Sequence, residues 1–384
     1  MLGGVPTAVE TVRAGLERLG HHVVIVAPRT ADQLSDGSHV VRVPALPAPT
    51  YPDFSLPLPL GRGFRRTLAA LELDIFHAQH PFLLGGTARR LARQCGRPLV
   101  FTHHTLYDRY AHYVPLPRAL VVRHAIRWST RFANGADLVI APSDALAARL
   151  RAQGVRRPIE VLPTGIDLGR FHPGDRAAAR RLLGLRAEVP LLLYVGRLDR
   201  EKNLGFLLGA FERIATGHPT ARLVLVGRGT EESALRRTAA RRGGGDRVDF
   251  VGGVAPPGVI RYYQAADAFV FASTTETQGL AAIEAMATGL PVVAVRASGV
   301  EEAVLDGVTG LLVPEDAGAF AASVLEVLGD AGLAAKLAAS AREGARRFAA
   351  PALAERLVAL YRRALGQEEW MNRSTPEGGR HDAR

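Results

Sequence analysis

The stretch Ala268–Glu284, AFVFASTTETQGLAAIE, decides the fold class, because it joins an apolar strand to a helix through a short polar loop. A helix that begins near Gly279 would point its first free N–H groups, those of Gly279 and Leu280 included, toward the loop, and such a terminus binds phosphate. Glu276 precedes the helix and Glu284 lies more than one turn into it, so both carboxylates can accept hydrogen bonds from sugar hydroxyls of one ligand. The structural alternative is that Glu276 caps the helix and Glu284 lies on a solvated face.

Short β-branched runs alternate with helical stretches along nearly the whole chain. This pattern is typical of βαβ units and of parallel sheets covered by helices on both faces, with functional loops at the carboxyl ends of the strands. The sequence therefore predicts an α/β protein. The predicted strands are His22–Pro28, Asp74–His77, Pro98–Thr102, Asp137–Ala141 and Ile159–Leu162 in the first half, and Pro190–Val195, Ala221–Val226, Arg247–Phe250, Ala268–Ala272, Pro291–Val295 and Gly310–Val313 in the second.

The chain has 384 residues, which suits two domains of ordinary size. A Pro- and Gly-rich stretch, Pro163–Pro173, marks the boundary and predicts domains over residues 1–165 and 166–350. The last helix, over 351–366, suits either sheet, and we expect it to pack back on the first domain. The polar residues 367–384 lack periodicity and are predicted to form a disordered tail.

The first domain departs from a doubly wound fold at its start, because Gly3, Gly4 and a helix over Pro6–Leu19 come before any strand. A doubly wound domain begins with a strand, and its first glycine loop follows that strand. Either the start site lies upstream of Met1 or the domain lacks a central strand. Since a missing central strand would leave buried backbone groups without partners, we expect the start to lie upstream.

The segment Gly196–Asn203, GRLDREKN, directly follows a predicted strand of the second half and carries Arg197 and Lys202. Two cations at this edge can neutralise a diphosphate leaving group, since arginine grips it bidentately and lysine acts as a compact point charge. The structural alternative is a solvated basic loop in which Asn203 caps the next helix.

Three further segments carry candidate ligand-binding residues. In GGV, Gly4 would let the backbone approach a phosphate closely, although most glycine pairs are ordinary turns. In THHT, His104 can meet a sugar across a cleft while His103 points into the fold; alternatively, either ring is satisfied within the fold or is exposed. In VGRGT, Gly227 would support the nucleotide, or it is a simple turn residue.

Composition restricts the class of protein. Hydrophobic residues make up 47% and charged residues 22%, which is typical of a globular chain. No apolar run reaches the ~18 residues that span a bilayer, and no secretory signal opens the chain. A single cysteine, Cys95, excludes an intrachain disulfide. These features predict a cytoplasmic protein, with peripheral attachment to the inner face of the membrane left open.

The net charge of +11 has three readings: a nucleic-acid partner, an anionic membrane surface, or a codon bias that favours arginine. No basic patch with interleaved aromatics and no nucleic-acid-binding motif occurs, so we expect no nucleic-acid partner. The sequence also has no Asp-x-Asp triplet and no His/Cys cluster with zinc spacing. We therefore expect no cofactor and a metal-independent site, in which cationic side chains and a helix terminus stabilise a leaving group.

Taken in order, GGV, THHT, GRLDREKN, VGRGT and ETQGLAAIE resemble the retaining family-four glycosyltransferases of the GT-B fold, over about residues 1–365. The resemblance implies two Rossmann-like domains that face each other across a cleft, with the acceptor side in the first. It implies transfer of a hexose from a nucleotide sugar of the UDP-glucose or GDP-mannose type. It also implies that Arg197 and Lys202 hold the donor diphosphate, with Gly4 near the phosphates.

The same resemblance assigns the remaining site residues. It implies that Glu276 contacts the transferred sugar, that Glu284 contacts the ribose and that His104 lies beside the sugar. A same-face substitution, in which the departing phosphate oxygen helps to deprotonate the acceptor hydroxyl, fits retention best. A nucleotide-sugar epimerase of the same fold is the alternative within enzymes.

A narrower resemblance concerns the acceptor. The segments His80–Gly85 (HPFLLG) and Thr102–Tyr113 (THHTLYDRYAHY) look like the bacterial diacylglycerol α-glucosyltransferases and related lipid-directed mannosyltransferases. This implies a membrane lipid, such as diacylglycerol or a glycolipid, as acceptor; a soluble acceptor is the alternative. The predicted helix Arg118–Phe132 places arginines on one arc and apolar residues on the other, which suits an anionic membrane surface or docking on the first sheet.

Overall fold

The computed structural model describes residues 4–29, 39–48, 51–58, 66, 68, 70–109, 116–242 and 244–367, which form two α/β lobes. The strands of the first lobe are β1 (Ile25–Pro28), β2 (Val40–Val43), β3 (Ala45–Ala48), β4 (Tyr51–Pro57), β5 (Phe76–Ala78), β6 (Leu99–Thr102), β7 (Leu138–Ala141) and β8 (Ile159–Val161). The strands of the second lobe are β9 (Leu191–Val195), β10 (Arg222–Val226), β11 (Val248–Gly252), β12 (Ala268–Phe271), β13 (Val292–Val295) and β14 (Leu311–Val313).

Helices connect and cover these strands. Those of the first lobe are α1 (Gly4–Arg18), α2 (Leu84–Gln94), α3 (Arg118–Ala133) and α4 (Asp144–Ala152). The following ones are α5 (Arg176–Leu182), α6 (Leu204–Gly217), α7 (Glu232–Arg241), α8 (Pro256–Ala265), α9 (Leu280–Ala287), α10 (Ser298–Glu301), α11 (Ala317–Gly329), α12 (Ala331–Ala345) and α13 (Ala350–Ala364).

The second lobe is built on a six-stranded parallel sheet with the order β11-β10-β9-β12-β13-β14. Its central strands are continuous apolar runs, LLLYV in β9 and AFVF in β12, and both are buried along their whole length. Such runs fit a sheet that is covered on both faces. Because β9 pairs with β10 and with β12, the loops that follow these three strands meet at one edge of the sheet.

The first lobe contains a four-stranded parallel sheet, β5-β6-β7-β8, and a separate parallel pair, β1-β2. Helix α1 is the first described element, so no strand precedes it among the described residues. Strands β3 and β4 form an antiparallel hairpin in which Leu46 faces Leu56. The sequence did not predict this hairpin, because its proline-rich segment lacks the β-branched pattern that identified the other strands.

Helix α13 lies on the first sheet, although it follows the second lobe in the chain. Leu353 and Leu357 share a core with Val100 of β6 and Leu16 of α1. The crossing point is close-packed, because a Cβ on Gly165 would lie 2.7 Å from the Cα of Ala350. The last described helix thus contributes to the lobe that holds α1.

Hydrogen bonds join the two lobes directly. The amide of Gln278 pairs reciprocally with the backbone of Thr164, at 2.7 Å and 2.9 Å. Thr277 Oγ1 donates to the carbonyl oxygen of His104 at 3.0 Å. The Glu302 carboxylate accepts the first two N–H groups of α4, both at 2.7 Å. The loop that precedes α9 therefore contacts both the interlobe linker and the first lobe.

Each predicted strand forms within three residues of its predicted ends. Gly3, residues 110–113 of the THHTLYDRYAHY segment and the predicted tail from residue 368 onward lie outside the described residues. Among the described residues, no single helix combines the length and apolarity that a bilayer crossing requires; 317–329 and 331–348 meet it only as a pair bent by 98°.

Candidate active site

Arg197 lies in the loop after β9 and is held by two buried carboxylates. Its Nη1 donates to Asp199 and its Nη2 to Glu201, each at 2.5 Å. Asp199 is 1% exposed and Glu201 7%, so their charges need a partner, and the guanidinium supplies it. The loop is therefore not a solvated basic loop. Asn203 occupies the N-cap position of α6, but its side chain makes no capping hydrogen bond.

The glycine turn after β10 packs against the Arg197 loop. A Cβ on Gly229 would lie 2.3 Å from the backbone of Leu198, so only glycine fits there. Thr230 donates to Asp199 through its N–H at 2.8 Å and its hydroxyl at 3.0 Å. Gly227 is buried, and its N–H donates to the carbonyl of Gly252 at 2.9 Å. The VGRGT segment thus supports the Arg197 loop through Gly229 and Thr230, and the Gly227 N–H is used within the sheet.

Lys202 and Glu276 form an ion pair between two of the loops at this edge, with 2.6 Å from Nζ to Oε1. Burial alone would raise the pKa of the Glu276 carboxyl, but the charge of Lys202, its hydrogen bond and the charge of Arg197 outweigh burial and lower it. Glu276 is therefore ionised near neutral pH. It does not cap the helix: Gly279, in the left-handed region at φ 80°, is the N-cap residue of α9, and Leu280 is its first residue.

Glu284 lies on α9 and is bonded to a buried tyrosine. The hydroxyl of Tyr263 donates to its Oε2 at 2.7 Å. Burial raises the pKa of the Glu284 carboxyl to about 7, and the Tyr263 hydrogen bond and the charge of Arg170 only partly offset that effect. Glu284 is thus not a fully solvated face residue, and its charge changes near neutral pH.

His104 follows β6, and its ring bonds to Gln79, which follows the neighbouring strand β5. The distance from His104 Nε2 to Gln79 Oε1 is 2.7 Å. Burial lowers the pKa of His104 to about 4, with a smaller contribution from His80, so the ring is neutral at pH 7. His103 is 3% exposed and points into the fold as expected, where its ring meets the edges of Phe101 and Tyr107.

The predicted site residues fall into two groups. Lys202 is bonded to Glu276, and Thr277, the next residue, is bonded to the backbone of His104; Arg197 lies in the same loop as Lys202. Gly4, by contrast, is exposed at the start of α1, and a Cβ there would meet no atom within 4 Å. The sequence did not predict the residues whose side chains hold these groups, Glu284 and the donor-side loops in place. Asp199 and Glu201 lie within GRLDREKN, between the two cations, whereas the other residues carry no spacing signal. The missed residues are Gln79, Asp199, Glu201, Tyr263, Thr277 and Gln278.

Within the described part of the chain, no group of three or more His, Cys, Asp or Glu side chains could hold a metal ion. The charged groups at the sheet edge are paired cations and carboxylates instead. Two lobes with parallel sheets, with cations at the carboxyl edge of the second sheet and a histidine of the first lobe joined to the neighbouring loop through Thr277, are the arrangement expected of a glycosyltransferase of the GT-B fold.

Family models agree with this class. The model described as Glycosyltransferase Family 4 matches residues 2–170, and the model described as Glycosyl transferases group 1 matches residues 175–345. The chain belongs to the family-four glycosyltransferases, which confirms the predicted family, fold class and enzyme class.

Named relatives cover most of the chain. It is 33% identical to the alpha-monoglucosyldiacylglycerol synthase of Streptococcus pneumoniae, over 76% of this chain and 68% of that protein. It is 33% identical to a D-inositol 3-phosphate glycosyltransferase of Acidothermus cellulolyticus, over 87% and 78%. It is also 32% identical to a GDP-mannose-dependent alpha-mannosyltransferase of Mycobacterium tuberculosis, over 82% and 80%.

Solved structures share the two-lobed architecture. Sucrose-phosphate synthase from Thermosynechococcus elongatus superposes with a TM-score of 0.79 at 29% identity, covering 95% of this chain and 94% of that one. The Anabaena protein HepE, solved in complex with UDP-glucose, superposes with a TM-score of 0.74 at 22% identity, covering 94% and 96%. The second likeness supports the fold alone.

Proposed function

We propose that this enzyme moves a hexose from a nucleoside diphosphate sugar to a hydroxyl group of a membrane lipid, with retention of the anomeric configuration. The observation that carries the proposal is the junction at Thr277, which bonds the first lobe at His104 to the loop that bears Glu276. Since Glu276 in turn pairs with Lys202, groups suited to a diphosphate and to a sugar lie side by side.

The diphosphate, the transferred sugar and the ribose of the donor each have a protein group that suits their chemistry. Arg197 and Lys202 stabilise the negative charge that develops on the departing diphosphate, and the N–H groups of Gly279 and Leu280 at the start of α9 add to it. Glu276 accepts hydrogen bonds from hydroxyls of the transferred sugar. Glu284, one turn further along α9, accepts them from the ribose.

The reaction is a same-face substitution. The bond from the anomeric carbon to the diphosphate oxygen breaks as a bond to the acceptor oxygen forms on the same face. The acceptor's proton passes to the departing phosphate oxygen, so no protein carboxylate becomes a nucleophile. The enzyme contributes charge stabilisation and alignment, which are effective where they act on the developing charge.

The donor is of the UDP-glucose or GDP-mannose type. Relatives named as a GDP-mannose-dependent alpha-mannosyltransferase and as an alpha-monoglucosyldiacylglycerol synthase support this range. Leaving-group stabilisation is metal-independent, because Arg197, Lys202 and the α9 terminus supply the positive charge that a metal ion would otherwise provide.

A lipid acceptor is supported by the relative named as a monoglucosyldiacylglycerol synthase and by the surface of α3. Arg123, Arg127 and Arg131 are exposed along that helix, and Trp128 is 57% exposed beside them. Basic residues with an exposed tryptophan suit peripheral contact with an anionic bilayer. A soluble acceptor is the second candidate, because relatives named as D-inositol 3-phosphate glycosyltransferases are as similar in sequence.

The test is an acceptor and donor panel. The purified enzyme is incubated with UDP-glucose or GDP-mannose and with diacylglycerol vesicles, inositol 3-phosphate or no acceptor, with and without excess chelator; products are identified by mass. We expect a hexosyl lipid that persists in chelator and is absent with Lys202→Ala. Product on inositol phosphate alone would favour the soluble acceptor, acceptor-free conversion of the donor would indicate an epimerase, and loss in chelator would refute metal independence.

A further inference from the structure

Gln79 and His104 lie at the same edge of the first sheet because β5 and β6 are parallel neighbours, with Phe76 opposite Leu99. Gln79 directly follows β5, and His104 comes two residues after β6 ends. Their side chains meet at 2.7 Å, and both residues are partly buried. The contact therefore follows from the sheet register and holds the ring in one orientation.

The contact also sets the position of the ring proton. An amide oxygen can only accept a hydrogen bond, so the contact with Gln79 Oε1 favours the tautomer in which Nε2 of His104 carries the proton and Nδ1 keeps its lone pair. The ring stays neutral at pH 7 because burial lowers the pKa of His104 to about 4. Burial lowers the pKa values of His77, His80 and His103, which lie nearby, to about 3, 4 and 3, so none supplies a competing charge.

A second contact fixes the backbone of the same residue. Thr277 Oγ1 donates to the carbonyl oxygen of His104 at 3.0 Å, from the position next to Glu276. The ring of His104 is thus held by the first lobe, and its backbone is held by the loop of the second lobe that bears Glu276 and Thr277. A neutral imidazole with Nδ1 as an acceptor can receive a hydrogen bond from a sugar hydroxyl.

We propose that Gln79 is a positioning residue that keeps His104 in the Nε2–H tautomer, so that Nδ1 accepts a hydrogen bond from a hydroxyl of the transferred hexose. The inference rests on the proposed hexosyl transfer. Gln79 itself contacts His104 and takes no part in bond making. The pair of His77, on β5, and Tyr361, with 2.6 Å between Nδ1 and the hydroxyl, offers a matched comparison in the same lobe.

Two substitutions separate positioning from a packing role. Gln79→Leu keeps the bulk but removes the acceptor, and it should lower kcat roughly 10-fold with little change in the donor KM. Gln79→Glu keeps an acceptor and adds a charge that raises the pKa of His104. The kcat of Gln79→Glu should therefore be close to wild type at high pH and fall as the pH drops, because a protonated Nδ1 can no longer accept a hydrogen bond. The kcat of the wild type should not show this fall at low pH.

The control is Tyr361→Phe, which removes a hydrogen bond from a partly buried histidine of β5 and should lower Tm without altering the pH profile. Tautomers are read independently from nitrogen-15 NMR of the histidine rings, with His104→Gln for assignment. Wild-type His104 should be protonated at Nε2. A wild-type His104 ring protonated at Nδ1, or a pH profile of Gln79→Glu that matches wild type, would overturn the inference about Gln79. Absence of hexosyl transfer in the wild type would instead overturn the proposed function, and the NMR result would still stand.

Discussion

Lys202 Nζ lies 2.6 Å from Oε1 of Glu276, so the cation suited to the diphosphate and the carboxylate suited to the sugar are paired with each other. Both side chains are largely buried, at 13% and 16% exposed, which strengthens their attraction. A diphosphate that contacts Lys202 must therefore compete with Glu276. Under the proposed function, this competition releases the carboxylate toward the hydroxyls of the attached sugar.

Glu276→Gln should consequently tighten the binding of UDP or GDP while it weakens catalysis. Removing the competing charge leaves Lys202 to the diphosphate, and we expect a Kd about 10-fold lower by calorimetry. Turnover should fall at least ~100-fold, because a charge-stabilised contact to the sugar is lost. Glu343→Gln removes an exposed carboxylate and should change neither quantity. Unchanged or weaker nucleotide binding in Glu276→Gln would contradict the competition.

Arg197→Ala should lower turnover at least ~100-fold, the scale for losing one preorganised charge-stabilising contact. It should also lower Tm, because it removes the cation that pairs with the buried Asp199 and Glu201. Arg200→Ala, an exposed arginine of the same loop, is the control and should behave like wild type. Turnover of Arg197→Ala near the wild-type value would remove the leaving-group assignment.

Donor binding should depend on pH through Glu284. Its pKa is raised to about 7 by burial, so the neutral acid predominates below that pH and the carboxylate above it. Since ribose hydroxyls donate to the ionised form, affinity should rise as the pH passes upward through about 7. Calorimetry at pH 6.5 in buffers of different ionisation enthalpy should detect proton release on binding.

Two variants check the origin of this pH dependence. Glu284→Gln should bind more weakly and show no proton release. Tyr263→Phe removes a hydrogen bond that lowers the pKa of Glu284, so the midpoint should move to higher pH. A midpoint that moves down, or one that persists in Glu284→Gln, would assign the titration to another group.

The sequence predicted most of this site's charges but not the contacts that orient them. The strands β9 and β12 are apolar runs followed by polar loops, and that local pattern places Arg197, Lys202 and Glu276 at one sheet edge. The pairing of Lys202 with Glu276 spans 74 positions, and Gln79 meets His104 only through the register of β5 and β6. Such pairings depend on tertiary structure, which local patterns do not encode.

The hairpin β3–β4 shows the same limit in the fold. Its strands contain Pro47 and Pro57, residues that disfavour regular strands, yet they pair antiparallel at the margin of the first lobe. The Gly4 prediction relied on a glycine pair alone, and the structure leaves open space beside that residue. Motifs with charged residues were more informative than glycines, since many different turns use glycine.

Glu302→Ala should loosen the two lobes. Its carboxylate accepts the first two N–H groups of α4, while Ser143 accepts the third, so it completes the cap of a helix in the other lobe. Such a contact contributes about 1–2 kcal/mol, and its loss should favour a more open arrangement. Small-angle scattering with saturating UDP should show a larger radius of gyration than wild type. Glu301→Ala, its exposed neighbour, is the control, and equal radii would mean that the contact does not hold the lobes together.

Membrane contact through α3 should depend on its exposed arginines. The helix docks through Phe132 and Ala133, which are buried, while Trp128 lies exposed and stacks on Phe82 at 6.4 Å. Because each basic residue near an anionic surface contributes about 1 kcal/mol, the triple change Arg123/Arg127/Arg131→Glu should weaken binding to anionic vesicles roughly 100-fold or more.

The matched control carries the same change in net charge on the second lobe. Arg181, Arg237 and Arg261 are exposed there, and their triple replacement by glutamate should leave vesicle binding within a few-fold of wild type. Co-sedimentation with anionic and with neutral vesicles separates surface attraction from apolar insertion, because only the former weakens as salt rises. If both triple variants lose vesicle binding equally, net charge rather than α3 determines attachment to the membrane. If neither variant loses binding, the acceptor reaches the site without α3. Neither outcome affects the donor chemistry proposed for Lys202 and Glu276.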